Sequence, residues 1–353
     1  MGIRDQIRPT AAETIAYFKD QGVRVLVISG DDSHTVSGIA AKVGGVEGAE
    51  RFVDATTLKT ESDVERALVC DSVFGRVRPE QKKQFVLALQ KAGHTVAMTG
   101  DGVNDTLALK AADCSIAMAS GSDAARNVAQ LVLVDNDFAS MPKVVAEGRR
   151  SINNLQRSAS LFLVKTLLSI AVALLFIAAP WQYPFQPIQM TLISAFTIGI
   201  PSFVFALEPN RERIRGRFLG NVVVRSIPGA ICSVCYILVA NIAGYYLMRL
   251  DYEQVSTLCV LLTSWIGCNL VIRLSMPFTA IRAALLVVVV GGTAGACLLM
   301  PNVFCIAPLT PGMWLLYGIV ATISAVAFHA LYLKLEALHA ARIRRAEQGF
   351  ASD

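Results

Sequence analysis

The chain has 353 residues, a formal net charge of +5 and a composition that is 54% hydrophobic. Its mean hydropathy of +0.51 is too high for an ordinary soluble globular protein. The modest positive charge comes without a basic patch interleaved with aromatic residues, so we expect no nucleic-acid partner. The apolar excess lies after about residue 160, and the residues before it have the pattern of a polar α/β domain.

The first polar loop follows a predicted helix over 10–20 and a predicted buried strand over 23–28. Ligands bind at the carboxyl ends of strands in open α/β sheets, so this loop is a candidate binding segment. The alternative is a plain helix-capping serine. The loop consists of Ser29, Gly30 and Asp31.

A second candidate, Lys82, follows a predicted strand over 73–77. Pro79 suits the first turn of the next helix, which we expect to run to about residue 92. Lys82 lies in that first turn and can reach the ligand end of the sheet, where a lysine can neutralise a phosphoryl group. We expect its neighbour Lys83 to be a solvated surface residue.

The third segment is the most informative. A predicted strand over 94–98 is followed by two glycines that allow a sharp turn, and then by a helix start. Carboxylates four residues apart across such a turn offer the hard oxygen ligands that Mg²⁺ prefers. The alternative is a glycine turn with an Asx cap. The polar residues of the turn are Asp101, Asn104 and Asp105.

These segments together resemble the P-type cation-transporting ATPases. Residues 99–110 resemble the hinge motif of that family, although Thr106 and Leu107 stand where the family usually has Ala-Pro. The Ser29 loop resembles the Thr-Gly-Asp segment with serine in place of threonine, and residues 78–82 resemble the segment of the motif lysine. The resemblance implies an α/β haloacid-dehalogenase-like (Rossmann-type) phosphorylation domain, built on a doubly wound parallel sheet. That domain is incomplete here, because the sequence has no Asp-Lys-Thr-Gly-Thr segment with the phosphorylated aspartate.

The same resemblance implies roles for the site residues. Asp101 would be the main Mg²⁺ ligand and Asp105 a supporting one, while Asn104 would orient phosphate oxygens. Lys82 would neutralise an aspartyl phosphate. The hydroxyl of Ser29 and the adjacent backbone N–H groups at Gly30 and Asp31 would contact phosphoryl oxygens. Mg²⁺ is the implied cofactor and ATP the implied substrate, with the nucleotide domain outside this sequence.

From residue 151 onward the pattern is that of a membrane protein. Six apolar runs are long enough to cross a bilayer, near 155–179, 188–207, 226–248, 255–274, 281–300 and 313–333. Lys and Arg are concentrated in alternate linkers and in the tail, which predicts that both termini are cytoplasmic. We therefore expect a partial cytoplasmic phosphorylation domain over 1–150, six transmembrane helices over 151–335 and a cytoplasmic tail over 336–353. In the family these would be helices five to ten.

Polar side chains in the predicted spans are candidates for an ion path. We expect Pro201 to break its helix and to free carbonyls for coordination, or only to kink it. No span has a carboxylate near its middle, and Ca²⁺ or Mg²⁺ is the expected cation. The segments 197–201 and 207–210 resemble the bacterial type-E subgroup. The candidates are Asn154, Thr197, Pro201, Asn241 and Asn269.

Lys165 is a charge inside the first predicted span. It either extends its ammonium to the cytoplasmic headgroups or faces the bundle as a built-in counter-charge. We favour the first alternative, because polar residues before it indicate a helix that continues as a stalk to about residue 160.

The leading hypothesis is the C-terminal part of an ATP-driven, Mg²⁺-dependent cation transporter in the plasma membrane, which works through an aspartyl phosphate. Its partners would be the lipid bilayer, the transported cation and the missing N-terminal half. The alternatives are a non-catalytic membrane fragment or half of a split transporter that binds a partner chain, and a membrane-tethered phosphatase. Alone, the chain should not form a phosphoenzyme.

Overall fold

The structure is a computed structural model that describes residues 7–352, with side chains described as far as residue 345. The contacts divide the chain into two compact units, Met1–Val145 and Ala146–Asp353.

The first unit alternates short parallel strands with helices. This alternation agrees with the strands predicted over 23–28, 73–77 and 94–98 and with the helices predicted next to them, whereas the sequence pattern did not predict β2 and α3. The strands are β1 (Val27–Ile28), β2 (Val53–Asp54), β3 (Val73–Gly75), β4 (Ala97–Thr99), β5 (Cys114–Met118) and β6 (Leu131–Leu133). The helices are α1 (Ala11–Asp20), α2 (Ser33–Val43), α3 (Glu61–Cys70), α4 (Pro79–Lys91), α5 (Thr106–Ala111) and α6 (Asp123–Val128).

The described strands form two three-stranded parallel sheets and not the single doubly wound sheet that we expected. Their orders are β1-β3-β2 and β4-β5-β6, with Val27 opposite Val73 and Ala97 opposite Cys114. The central strands β3 and β5 are largely buried, whereas Ala97 and Thr99 of β4 are exposed. Among the described residues, β1 and β4, the strands before the two polar loops, each pair with one strand only.

Local sequence signals account for the helix starts of this unit. The Asp32 carboxylate accepts a 3.1 Å hydrogen bond from the His34 N–H at the start of α2. Thr60 and Asp63 form a reciprocal capping box at the start of α3. Pro79 occupies the first turn of α4, as predicted. Helices α3 and α4 pack in the apolar cluster that contains the buried Phe74 and Phe85, whereas α2 packs in a second cluster with Val73.

The second unit is a bundle of apolar helices. Six of the described helical segments are long and apolar enough to cross a membrane, and they overlap the six apolar runs expected from the sequence. The helices are α7 (Met141–Ala178), α8 (Pro187–Ser194), α9 (Ile200–Leu207), α10 (Phe218–Ile242), α11 (Tyr252–Leu274), α12 (Ala280–Leu299) and α13 (Pro311–Ser352). The last of them continues well beyond residue 333, where the sequence predicted the end of the final span.

Helix α11 forms the centre of the bundle, because apolar residues on all its sides are buried. Such a helix reads as hydrophobic all round, without a polar face. Polar contacts fix it against its neighbours, among them one to α10 and one to α13. The Tyr236 hydroxyl of α10 donates to Thr263 Oγ1 at 2.8 Å, and the Trp265 ring N–H donates to the Ala321 carbonyl of α13 at 2.9 Å.

The predicted helix break at Pro201 does not occur. The chain stays helical from α8 through α9, and a π-helical turn at Ala195–Gly199 joins the two helices. Proline lacks an N–H and its ring clashes with the carbonyl four residues earlier in an α-helix. A turn widened by one residue relieves that clash without ending the helix. Thr197 lies in this widened turn and is buried.

The contact between α2 and β3 gives a test of the packing in the first unit. A Cβ atom at Gly75 would lie 2.4 Å from Ser33 Cα, which is backbone and cannot move aside. We expect Gly75→Ala to destabilise the unit by about 1–3 kcal/mol. Gly38→Ala is the matched control, because a Cβ there meets nothing within 4 Å. Pulse proteolysis of the full chain in urea measures both, and equal stabilities of the two variants would contradict the packing.

Candidate functional site

The Ser29 loop lies at the carboxyl end of β1. Its backbone is fixed by two hydrogen bonds to β3 and the residues that follow it, from the Ser29 N–H to the Phe74 carbonyl and from the Val77 N–H to the Ser29 carbonyl, both 3.0 Å. The Ser29 hydroxyl donates to Asp31 Oδ2 at 3.1 Å and accepts from the Asp31 N–H at 3.2 Å. Gly30 and Asp31 are exposed. The loop therefore presents a hydroxyl and exposed backbone at the ligand end of its strand.

Arg76 braces this loop and was not predicted from the sequence. Its guanidinium contacts Asp32 Oδ1 at 2.7 Å and Asp54 Oδ2 at 3.1 Å, and its N–H donates to the Asp31 carbonyl at 2.7 Å. Its φ of 52° is in the left-handed region, which a non-glycine residue occupies at some cost. The Thr56 hydroxyl and N–H, together with Arg76, hold the pKa of Asp54 below its ordinary value.

Lys82 and Asp105 form a short and nearly buried ion pair in the first unit. Lys82 Nζ lies 2.6 Å from Asp105 Oδ1, and the two side chains are only 12% and 11% exposed. The other carboxylate oxygen accepts from the Gly102 N–H at 3.3 Å. Lys83 is exposed, as predicted. The structure thus joins the first turn of α4 to the polar loop after β4.

Close backbone contacts hold the Asp101 loop in place, whereas the side chains of Asp101 and Asn104 are exposed. The Asp101 carbonyl accepts from the Ser122 N–H at 2.7 Å, and a Cβ at Gly121 would lie 2.8 Å from that carbonyl oxygen. A Cβ at Gly100 would lie 2.5 Å from Asp105 Cβ. Only glycine fits at these two close approaches. Asp101 and Asn104 are exposed, and within residues 7–345 the Asp101 carboxylate has no hydrogen bond or ion pair.

The donor set at this loop fits Mg²⁺ better than a metal that needs a protein cage. Mg²⁺ takes one or two carboxylates and keeps several waters or phosphate oxygens as its other ligands. Asp101 offers one free carboxylate, while both oxygens of Asp105 already have partners. No group of three or more His, Cys, Asp and Glu side chains that could hold a metal occurs among the described residues.

The predicted site residues form two separate groups. Lys82, Asp105 and the Asp101 loop belong to one of them. The hydrogen bonds of Ser29 and Asp31, as far as the described residues show, stay within their own loop and with β3.

A buried ionic cluster was missed by the sequence analysis of the membrane unit. Glu208, directly after α9, accepts from Arg157 Nη1 of α7 at 3.0 Å and from Arg282 Nε of α12 at 2.6 Å. All three side chains are less than 10% exposed. Asn154 Nδ2 donates to the Glu208 carbonyl at 2.7 Å, so this candidate belongs to the same cluster. The sequence did contain a signal for this cluster, because the Glu208 carboxylate directly follows the apolar run over 188–207.

The other ion-path candidates are not gathered into one site. Thr197 Oγ1 donates to the Ile193 carbonyl at 2.7 Å and packs against Gly267 of α11. Asn241 and Asn269 donate to carbonyls of their own helices, at Ile237 and Trp265. The Asn241 side-chain oxygen is buried without a hydrogen-bond partner in the described chain.

Lys165 contacts a neighbouring helix. Its Nζ lies 2.6 Å from Ser194 Oγ of α8, and that hydroxyl in turn lies 2.6 Å from the Met190 carbonyl. The side chain is half-buried. The expectation that it extends to the headgroups is therefore not supported, because its ammonium is engaged beside the π-helical turn.

Comparison with known proteins gives the context of both units. Family models described as haloacid dehalogenase-like hydrolase match residues 1–113 and residues 83–145. The probable cation-transporting ATPase exp7 of Streptococcus pneumoniae is 40% identical over 336 residues, which cover 92% of this chain and 43% of the relative.

Two calcium-transporting ATPases named CtpE are also similar. The one from Mycobacterium bovis is 44% identical over 300 residues, covering 80% of this chain and 37% of the relative. The one from Mycolicibacterium smegmatis is 44% identical over 253 residues, covering 69% and 32%. The chain thus spans less than half the length of these relatives. The matches confirm the expected haloacid dehalogenase-like domain followed by apolar helices.

The Lys82–Asp105 pair yields a first prediction for the site. Lys82→Ala would leave a nearly buried carboxylate without its counter-charge, so we expect a loss of about 2–4 kcal/mol in stability. Lys83→Ala, one residue away and solvated, should change stability by less than about 0.5 kcal/mol. Urea denaturation of the full chain followed by proteolysis compares the two. A harmless Lys82→Ala would show that the pair is not formed in solution.

The ionic cluster in the membrane unit yields a second prediction. Glu208→Ala would leave two buried guanidinium groups unpaired, and we expect a loss of about 3–5 kcal/mol. Replacing all three charges, with Arg157→Met, Glu208→Leu and Arg282→Met, should recover much of that loss. Thermal unfolding in detergent measures both variants, with the exposed Glu212→Ala as control. Equal melting temperatures for Glu208→Ala and Glu212→Ala would contradict the burial of the cluster.

Proposed function

Since this chain belongs to the P-type cation-transporting ATPases by homology over most of its length, we propose that it forms part of an ATP-driven cation pump. In this proposal it supplies part of the phosphorylation domain and six membrane helices. The terminal phosphoryl group of ATP passes to an aspartate carboxylate outside this sequence, releasing ADP, and water later hydrolyses the acyl phosphate. The observation that carries the proposal is the Lys82–Asp105 pair next to the exposed carboxylate of Asp101.

The residues of this chain act on the phosphoryl group mainly by charge and position. Lys82 keeps a fixed positive charge at the end of β4, because Asp105 holds its ammonium in a pocket of low exposure. Ser29 and the N–H groups of its loop donate to phosphoryl oxygens, and Asn104 orients them. Mg²⁺, when bound by Asp101, would neutralise charge on the transferring phosphoryl group.

The edges of β1 and β4 indicate where the strand with the phosphorylated aspartate could pair with this chain. Each sheet ends on a strand that carries a site loop, β1 before Ser29 and β4 before Asp101. Residues 25–29 are only half-buried and Thr99 is exposed, although the sequence pattern is that of central strands. We propose that a further parallel strand, with an aspartate at its carboxyl end, pairs with these edges. An exposed strand edge is a template for such pairing.

The added strand has two possible origins in this proposal. It lies in a preceding part of the same protein, or in a partner chain that makes the present one half of a split transporter. Pairing with a strand of a partner chain is also the way in which a non-catalytic membrane fragment would bind its partner. Mixing this chain with a separately expressed complement distinguishes a functional half, which gives a phosphoenzyme, from a binding fragment, which co-purifies without one.

The membrane unit supports a multi-pass plasma-membrane protein with both termini in the cytoplasm. Five arginines lie in residues 211–225, whereas residues 180–187 and 301–312 contain neither Lys nor Arg. We propose a divalent cation, Ca²⁺ or Mg²⁺, as cargo. Two of the similar proteins above are named calcium-transporting ATPases, and this supports Ca²⁺ of the two.

The ion path in this proposal passes the π-helical turn at Ala195–Gly199. A π-turn leaves carbonyls without their usual helical partners, and such turns often occur at functional sites. Thr197 lies in the turn, and Lys165 reaches the residue that precedes it, Ser194. Lys165 thereby offers a positive charge next to the path, in a region without a carboxylate. This geometry supports the counter-charge alternative.

Phosphoenzyme formation tests the catalytic part of the proposal. The chain is co-expressed with the part of the Streptococcus pneumoniae relative that it does not cover, and radiolabelled ATP is added. We expect a hydroxylamine-sensitive phosphoenzyme that Asp101→Asn lowers by at least about 100-fold. The chain alone should form none and should release no phosphate. Unimpaired labelling in Asp101→Asn would contradict the assigned role, and Asp113→Asn serves as the matched carboxylate control.

Cation dependence tests the path. We expect Lys165→Met in the complemented pump to shift the cation concentration for half-maximal ATPase activity by about tenfold or more, because one full charge next to the path is removed. Lys334→Met is the matched control in the last helix. An unchanged cation dependence would favour a merely tolerated lysine. Ser194→Ala should shift the dependence in the same direction if the contact positions the ammonium.

A further inference from the structure

Two basic segments of the membrane unit, distant in sequence, touch each other in the structure. The first is the linker between α9 and α10, where residues 211–217 contain four arginines and one glutamate. The second is the end of α13, where residues 334–345 contain four lysines or arginines and one glutamate. Their contact shows that the linker and the tail lie on the same side of the helix bundle.

The contact between the segments is close because one of its residues is a glycine. A Cβ at Gly216 would lie 2.5 Å from Ile343 Cδ1, and the φ of 71° at Gly216 is in the left-handed region that favours glycine. Next to it, His339 Nε2 lies 2.9 Å from Asn221 Oδ1, and Asn221 Nδ2 donates to the Arg215 carbonyl at 2.9 Å. Polar and apolar contacts together thus hold the linker against α13.

This contact gathers arginines from both segments. They are the sequence neighbours of the two residues in contact, and we call them the arginine patch: Arg215, Arg217, Arg342 and Arg344. All four are exposed, and their guanidinium groups have no hydrogen bond or ion pair within residues 7–345. Like charges that are held together repel, so negative charge beside them lowers the energy of the arrangement. The rule that places arginines in cytoplasmic linkers explains their side of the membrane, but it does not require the two segments to touch.

The bilayer is the nearest source of negative charge. The linker consists only of residues 208–217 and joins two apolar helices, so its arginines lie close to the level of the lipid headgroups. Large apolar side chains beside the arginines are also exposed, with Phe218 at 38%, Leu219 at 68% and Leu338 at 53%. Basic and apolar side chains side by side are typical of protein surfaces that lie in the membrane interface. A soluble polyanion would leave these apolar side chains in water.

We propose that the arginine patch binds the phosphate headgroups of anionic phospholipids. The leaflet is the one on the side of the linker and the tail, which is the cytoplasmic leaflet in the topology proposed above. Guanidinium groups of both segments contact the lipid phosphates, and the neighbouring apolar side chains lie against the upper part of the acyl chains. Bound lipid stabilises the contact between linker and tail, because it neutralises the repulsion across it. The proposal requires a chain that spans a membrane and does not depend on the proposed pump function.

A single tryptophan beside the patch provides a local reporter. The full chain carries Phe218→Trp, and its three native tryptophans are removed by Trp181→Phe, Trp265→Phe and Trp314→Phe. It is reconstituted in nanodiscs that contain phosphatidylglycerol or phosphatidylcholine with brominated acyl chains, and fluorescence quenching reports which lipid lies next to the reporter. We expect a preference for phosphatidylglycerol of about tenfold or more, because a single arginine near an anionic surface accounts for about fivefold. Raising the salt concentration from about 0.01 M to about 1 M should remove most of this preference.

Arginine substitutions in the reporter chain test whether the two segments act as one site. Arg342→Gln together with Arg344→Gln should lower the preference by about threefold or more, although the reporter is in the other segment. Adding Arg215→Gln and Arg217→Gln should abolish it. The matched control removes the same charge from exposed lysines of the first unit and should leave the preference unchanged. It consists of Lys42→Gln, Lys59→Gln, Lys83→Gln and Lys110→Gln.

A second measurement uses the chain with its native tryptophans, in case the reporter variant folds poorly. In detergent, added phosphatidylglycerol should raise the melting temperature more than phosphatidylcholine does, and the variant without the four arginines should lose this difference.

Two results would overturn the proposal. Equal quenching by the two lipids in the reporter chain would mean that the arginines only set the topology. A preference that survives Arg342→Gln with Arg344→Gln unchanged would mean that the linker and the tail do not form one lipid site.

Discussion

The membrane unit depends on one buried carboxylate. Glu208 forms ion pairs with both Arg157 and Arg282 and so ties α7, the end of α9 and the start of α12 together. Three charges removed from water are costly to bury, and their attraction offsets that cost only when the geometry is well matched. Apolar helices could slide along one another with little change in contact area. The charge cluster can form in only one alignment of these helices. Its main contribution is therefore to select that alignment over others, not to add stability.

The hydrogen bonds around the cluster extend this constraint to the backbone. Asn154 fixes the carbonyl of Glu208, and Arg282 Nη1 contacts the carbonyls of Ser275 and Pro277 before α12. Arg157 also lies over the ring of Phe205, with its guanidinium carbon 5.6 Å from the ring centroid. The end of α9, the segment before α12 and helix α7 are thereby connected around Glu208. The Lys82–Asp105 pair has the same role in the first unit, where it joins α4 to the loop after β4.

Hydropathy predicted the six apolar helices, and the strand–loop–helix pattern predicted the positions of the site residues. Both predictions depend on apolar residues that recur every 3.6 or 2 positions, and such local periods are visible in a single sequence. The contacts of Lys165 and Glu208 depend on how helices pack, and helix packing has no local period. The same holds for Arg76, whose partners Asp32 and Asp54 are distant in sequence. The π-helical turn before Pro201 was missed because a proline alone signals a break, not the local widening that avoids it.

The short strands show a second limit of prediction from sequence patterns. β2 has two residues, too few for an alternating pattern to be distinguished from a loop. The sequence pattern of residues 94–98 is that of a buried strand, whereas most of that segment is exposed in the structure. An apolar, β-branched run indicates a strand that is covered on both faces. The described residues of this chain do not cover this strand, so it is exposed.

The free edges of β1 and β4 also bear on solubility. Backbone N–H and C=O groups along a strand edge pair with any other edge that comes within reach, including that of a second copy. Such pairing is bimolecular, so its extent rises with the concentration of the chain. Dilution, slow synthesis and early capture by a chaperone therefore protect the first unit, whereas strong overproduction drives it towards aggregates rich in β-structure. The two edges that carry the site loops are therefore the places where we expect the first unit to aggregate.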